Sequence, residues 1–440
     1  MDIVDKKFQK NKFTIAFLMA TLIFLIGLFL NLQVLIATFF DRSYLSNIWV
    51  VLPVLLLILY VPRYALNAGV TSPSFLTTFF LLILSLHVAI QSFAYGIVAG
   101  AWSFTSYGLW IGLFIWLQYA KFNLVRSLVI FMFLSFGILH LCTVLVEYAI
   151  GESFFKTVTL GDGVERNYGI STSVSILGLQ FAVGAIVSTN LYFQAKNKTI
   201  KFLGAVFFIL MTFALFTLSI RGPLFYLIIT LAIFSLHRLK LSPGKYFQVF
   251  AFICMGVFTL GYLFYSSENF LSFFLDAFSL ADEGNLGRID KYILGLEMLV
   301  QDWWVPLVGH GSAELSQVPL ALGKPDLTLE SSTLRGLLEL GIIGMFPILL
   351  LITLTIYGFL RCARVLVVKR NVEFFAILMV LLLQCTTHET FKTWIGSFYF
   401  VVSLGICVRV LMEAGFFKRP KHIRIFGKEH NRDRDLIFNE

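Results

Sequence analysis

Arg166, Arg221 and Arg288 are the residues of this chain whose type and setting most directly suggest chemistry. A guanidinium is permanently charged and offers a planar fork of donors that meets phosphate oxygens two at a time. Arginines at the outer face of a membrane therefore suit the diphosphate of a lipid-linked substrate. The plain alternative is a headgroup contact or a salt bridge. It has weight for Arg288, which has Asp282, Glu283 and Asp290 nearby in the sequence. It has least for Arg221, which stands in Ser219-Ile220-Arg221-Gly222-Pro223, a tight turn inside an otherwise apolar stretch. A charge at membrane depth reads as functional by default. Arg42 and Arg335 are expected to be ordinary interface residues, with Arg335 a secondary candidate.

A transfer reaction onto a hydroxyl also needs a proton acceptor, and Glu330, His310 and His388 can serve. Glu330 lies just ahead of an apolar span. His310 sits between Gly309 and Gly311, where a plain loop residue is an equal reading. His388 stands at a span end beside Glu389, where interfacial polarity also explains it. No closely spaced aspartate pair occurs in the outer loops, so neither a metal nor another cofactor is expected. His87 and His140 lie within spans and read as helix-packing residues.

The elements that must carry these side chains are apolar. Hydrophobic residues make up 58% of the 440, charged residues 13%, and 48 are Phe. Runs of about 20 apolar residues read as membrane helices, because only a helix or a closed barrel satisfies its backbone in lipid. The pattern gives an all-α integral membrane protein with about twelve spans: 13–31, 45–62, 75–97, 101–120, 124–148, 171–193, 202–219, 222–237, 246–266, 336–358, 372–387 and 393–412. The first, preceded by Lys6, Lys7, Lys10 and Lys12, reads as a retained signal anchor. Residues 1–266 then hold spans one to nine, 267–335 a long extracytoplasmic loop with short interfacial helices, 336–412 the last three spans and 413–440 a basic tail.

Charge tests this count. Every connection placed inside is basic, and only nine of the 34 Lys and Arg residues fall outside: Arg42, Lys156, Arg166, Arg221, Arg288, Lys291, Lys324, Arg335 and Lys392. That asymmetry places both termini in the cytoplasm. The net charge of +9 then reflects topology and anionic lipid, with no nucleic-acid partner implied. The stretch 202–237 is too long for one helix and short for two, so its turn is expected to be recessed. Few carboxylates fall mid-span, which counts against an ion-coupled transporter.

Taken in order, these elements resemble a known family. Ser219-Ile220-Arg221-Gly222 looks like its S-x-R-G turn, and Arg166-Asn167-Tyr168-Gly169 its R-x-x-G element. Gly287-Arg288 followed by Trp304-Val305-Pro306-Leu307-Val308-Gly309-His310-Gly311 resembles its next stretch. Glu330-Ser331, with Glu339-Leu340-Gly341-Ile342-Ile343-Gly344, resembles the segment that opens a late span. The family is the O-antigen polymerase and ligase superfamily, and the resemblance covers residues 160 to 360. It implies a GT-C-type glycosyltransferase of the bacterial inner membrane that works without metal on undecaprenyl-diphosphate-linked oligosaccharides. Membrane lipids and a chain-length regulator protein are the other partners implied. Arg166, Arg221 and Arg288 would bind the diphosphate, Arg221 and Arg288 would stabilise the leaving charge, and Glu330 or His310 would act as base. The ligase branch has His-Asn where this chain has Glu330-Ser331, which favours the polymerase branch. A ligase, or a flippase from another class, is the alternative.

Overall fold

The computed structural model describes residues 20–32, 86, 89–90, 93, 113–114, 116–118, 122–150, 157–159, 165–167, 174–217, 221–239, 283–310, 331–362, 372–387 and 394–417, with the backbone alone at 148, 157–159, 165–167, 194, 216–217, 221, 232–239, 283–288, 372, 387 and 394. Ten helices can be followed. They are α1 (Ala20–Asn31), α2 (Phe122–Ile150), α3 (Val174–Gln194), α4 (Lys198–Thr217), α5 (Arg221–Leu239), α6 (Glu283–Gln301), α7 (Val305–Val308), α8 (Ser332–Arg361), α9 (Val372–Thr387) and α10 (Trp394–Glu413). Two short strands, β1 (Thr157–Thr159) and β2 (Glu165–Asn167), pair antiparallel between α2 and α3.

Among the described residues five helices are long and apolar enough to cross a membrane: α2, α3, α4, α8 and α10. The chain is thus a helical membrane protein. Eight of the spans expected from the sequence coincide with α1 to α5 and α8 to α10, their described ends lying within a few residues except at the start of α1. Spans 45–62 and 246–266 lie outside the described residues, and 75–97 and 101–120 are described only in fragments.

The connection between α2 and α3 carries the β1–β2 hairpin, with Arg166 opposite Val158. One expectation is corrected. The stretch 202–237 was read as short for two spans. Helix α4 begins earlier, at Lys198, and α5 runs on to Leu239, giving 20 and 19 residues. At about 1.5 Å per residue each reaches roughly 30 Å, so length no longer demands a recessed turn. Arg221 is the first residue of α5, with Pro223 in the opening turn, where a missing N–H costs nothing.

Helices α3 and α10 are buried along most of their length, whereas α4 is largely exposed. Close approach is possible where side chains are small. A Cβ on Gly204 of α4 would meet the backbone of Ser188 and Tyr192 of α3, so these two helices lie against each other as an antiparallel hairpin. Phe133 of α2 stacks on Tyr399 of α10 with ring centroids 4.7 Å apart. A buried polar knot ties three helices. Asn31 Nδ2 donates to the Gly27 carbonyl at 2.6 Å. Its Oδ1 faces His140 Nε2 at 3.0 Å and accepts from Gln180 Nε2 at 2.5 Å. His140 thus packs helices together, as its sequence position suggested, while His87 lies outside the described residues.

Candidate functional site at the loop-bearing end

Four cross-contacts fix the direction of the main helices. Arg126 at the start of α2 donates to Glu373 Oε1 at 3.3 Å, and Asn190 near the end of α3 donates to the same oxygen at 3.0 Å. Glu373 opens α9, so α2 and α9 begin where α3 ends. At the far end Gln384 Nε2 of α9 donates to the Ser175 carbonyl of α3 at 3.4 Å. Tyr292 Oη of α6 donates to the Thr386 carbonyl at 2.6 Å. The starts of α3 and α5, the ends of α2 and α9, and the loop helix α6 therefore share one end of the bundle. Gly358 near the end of α8 meets Leu411 and Phe416 at the other.

The sequence-predicted residues sort themselves by this frame. Arg166 lies on the hairpin that joins the end of α2 to the start of α3. Arg221 opens α5, which runs parallel to α3 because two three-residue connections reverse the chain twice. Arg288 is on α6, one turn before Tyr292, in the series 288, 292, 295 and 299 that shares a helical face. All three backbones are at the loop-bearing end; their side chains lie outside the described residues. Glu330 and His388 also lie outside them, but their neighbours Ser331 and Thr387 stand at this end.

His310 and Arg335 are described in full, and they belong to one assembly. Val305 of α7 packs with Leu334 and Leu338 of α8, and Tyr292, Met298 and Leu299 of α6 close over them. Ser331 caps α8, its Oγ accepting from the Leu334 amide at 3.3 Å, which satisfies one of the orphan donors of the first turn. The His310 amide donates to the Leu338 carbonyl at 2.6 Å, and the His310 ring meets Trp304 edge-on at 5.7 Å. Arg335 is not an exposed interface residue. It is buried, and its Nε donates to Glu339 Oε1 at 2.8 Å. A charge withdrawn from water needs such a partner, since removing one member of a buried pair strands the other.

The assembly is locked at two glycines. Helix α8 is broken at Gly341, where φ is 61° and ψ is −176°. Gly309 has φ 80° and ψ 166°. Only glycine occupies this backbone region without strain. Each faces the other's neighbours. A Cβ at Gly309 would lie 2.5 Å from the Glu339 carbonyl oxygen, and one at Gly341 would overlap the Leu307 carbonyl. The break releases the Leu338 carbonyl from its helical partner, and the His310 amide takes it.

The break also marks a change of surroundings. From Ser331 to Gly341 no residue is exposed, whereas Ile342, Ile343 and Phe346 are each more than half exposed. The segment after the break, Ile342 to Arg361, reaches about 30 Å and is long enough to span alone. Arg335 and Glu339 therefore lie on the buried side of the break.

Sequence reasoning placed Glu339 only as a letter in a family-like segment and did not see its pairing. The spacing of Arg335 and Glu339, four apart on a helix, is the signal that could have found it. No family model matches this chain, and no curated protein matches it either.

Proposed function

We propose that this chain is a metal-independent glycosyltransferase of the GT-C type. In this reading it has twelve spans, resides in the bacterial inner membrane and acts at the outer face as a polysaccharide polymerase. It would move a growing glycan from undecaprenyl diphosphate to a hydroxyl of the next lipid-linked repeat unit. The observation that supports this best is that positions 166, 221 and 288 lie on elements at the same end of the bundle as the buried Arg335–Glu339 pair. The opposite end has exposed Lys196 in the α3–α4 connection and exposed Lys198 and Lys201 in the first turn of α4, as a cytoplasmic side would.

In the reaction the acceptor oxygen bonds to the anomeric carbon as the bond to the diphosphate breaks. The acceptor proton passes to Glu330 or His310, and the polyprenyl diphosphate leaves with its electron pair. The leaving group is already good, so the protein's part is to place two lipid-tethered substrates and neutralise the charge that develops. Glu330-Ser331 in place of His-Asn favours the polymerase over the ligase.

Purified protein given lipid-linked single repeats and no nucleotide sugar should produce a ladder of lengthened products. Arg221→Ala and Arg288→Ala should each lower its rate by about 10²–10³-fold with expression unchanged. Arg221→Lys should recover little, since it keeps the charge and loses the fork. Full activity in both alanine variants overturns the diphosphate assignment. Repeats moved across the membrane without lengthening would indicate a flippase, and one glycan attached to a second acceptor would indicate a ligase.

A further inference from the structure

Helix α6 has three distinct faces. Tyr292 and Leu299 pack on α7 and α8, with Gly295 buried between them. Asp290 and Glu297 are exposed on another face. Between these runs a narrow apolar stripe of Ile289, Ile293, Leu296 and Val300, followed just past the end of the helix by Trp303, with spacings alternately four and three and all five residues exposed. Val300 is 74% exposed and Trp303 82%. A stripe of this kind, left open in water, would cost the burial of five large side chains.

We propose that this stripe lies in the outer leaflet of the bilayer, making α6 a helix that rests in the membrane interface. Three observations identify lipid as the occupant. Tyr292 holds α6 to the Thr386 carbonyl in the last turn of α9, so the helix sits at the level where an apolar span ends. Ile342, Ile343 and Phe346, just past the break that α7 meets, are exposed and apolar as well, on the helix whose first turns α6 packs against. Trp303 and Trp304 close the stripe, and the indole ring favours the headgroup level. The acidic residues fall on a neighbouring face, where water can reach them. An amphipathic helix with these faces binds an interface through buried apolar area.

The test uses the full chain reconstituted in phosphatidylcholine vesicles, with a benzoylphenylalanine photocrosslinker at Ile293 or Val300, and separately at Asp290 or Glu297. Ultraviolet light should give phospholipid adducts at 293 and 300 at least fivefold above those at 290 and 297. Equal yields on both faces overturn the proposal, as does crosslinking of the stripe to a second copy of the chain. As a second measurement, vesicles with brominated acyl chains should quench the tryptophan fluorescence of the wild type more than that of Trp303→Phe. Identical quenching overturns it too. Neither readout depends on catalysis, so failure of the glycosyltransferase reading leaves this test intact.

Discussion

Gly341 concentrates the demands of the site into one missing methyl group. Its backbone angles are strained for any residue with a Cβ, at about 1–3 kcal/mol, and the added atom would strike the Leu307 carbonyl. Gly415 also has a positive φ, of 81°, but a Cβ there would meet nothing within 4 Å. Gly341→Ala should therefore lower the thermal unfolding midpoint in detergent by on the order of 5 °C or more, and Gly415→Ala by clearly less. Equal midpoints would remove the interlock from the account. At this scale the sequence was partly legible. Arginines in apolar surroundings advertise themselves by charge. Arg335 and Glu339 are buried by tertiary packing that no local pattern encodes, and a local trace of their pairing survives only in their four-residue spacing.

The elements were read more successfully than their junctions. Apolar runs in lipid can only become helices, so α2, α3, α9 and α10 begin and end close to their expected limits. The break in α8 escaped notice because Gly341 and Gly344 in an apolar run fit a straight membrane helix equally well. The β1–β2 hairpin escaped because three-residue strands carry no period to detect. Helix α6 has helical apolar spacing, and Tyr292 bonds it to the end of α9. Tyr292→Phe deletes that bond, worth about 0.5–1.5 kcal/mol, while leaving the ring packed. Amide exchange across 283–301 should quicken, while that of α3 stays as it was. Unchanged exchange in α6 would mean that the contacts with Val305, Leu334 and Leu338 hold it alone.

Across the whole molecule the two ends differ in kind. One collects loop helices, the hairpin and the candidate residues; the other collects the Arg126–Glu373 and Arg409–Glu413 pairs, the latter at 3.0 Å, and the exposed lysines beside α4. Lys291 belongs to the first end and Lys198 and Lys201 to the second. In sealed vesicles of one orientation, a membrane-impermeant amine reagent should modify Lys291 and spare Lys198 and Lys201, and vesicles of the other orientation should reverse the pattern. Modification of all three from one side would break the alternation of spans inferred from loop charge. That alternation is an inference from the charge bias written along the chain. That positions 166, 221 and 288 share one end of the bundle became visible only through the cross-contacts among α2, α3, α6 and α9.

The paired glycines also set an order of assembly during synthesis. Gly309 leaves the ribosome well before Gly341, and α7 has no dock until the broken turn of α8 exists. In the topology proposed above, a nascent chain stopped short of that turn would have its loop helices translocated and waiting, with Val305 uncovered. Completion of the helix after Gly341 would then close the loop assembly, and in that topology a protease on the outer side during translation would cut near α7 only in the interval between the two.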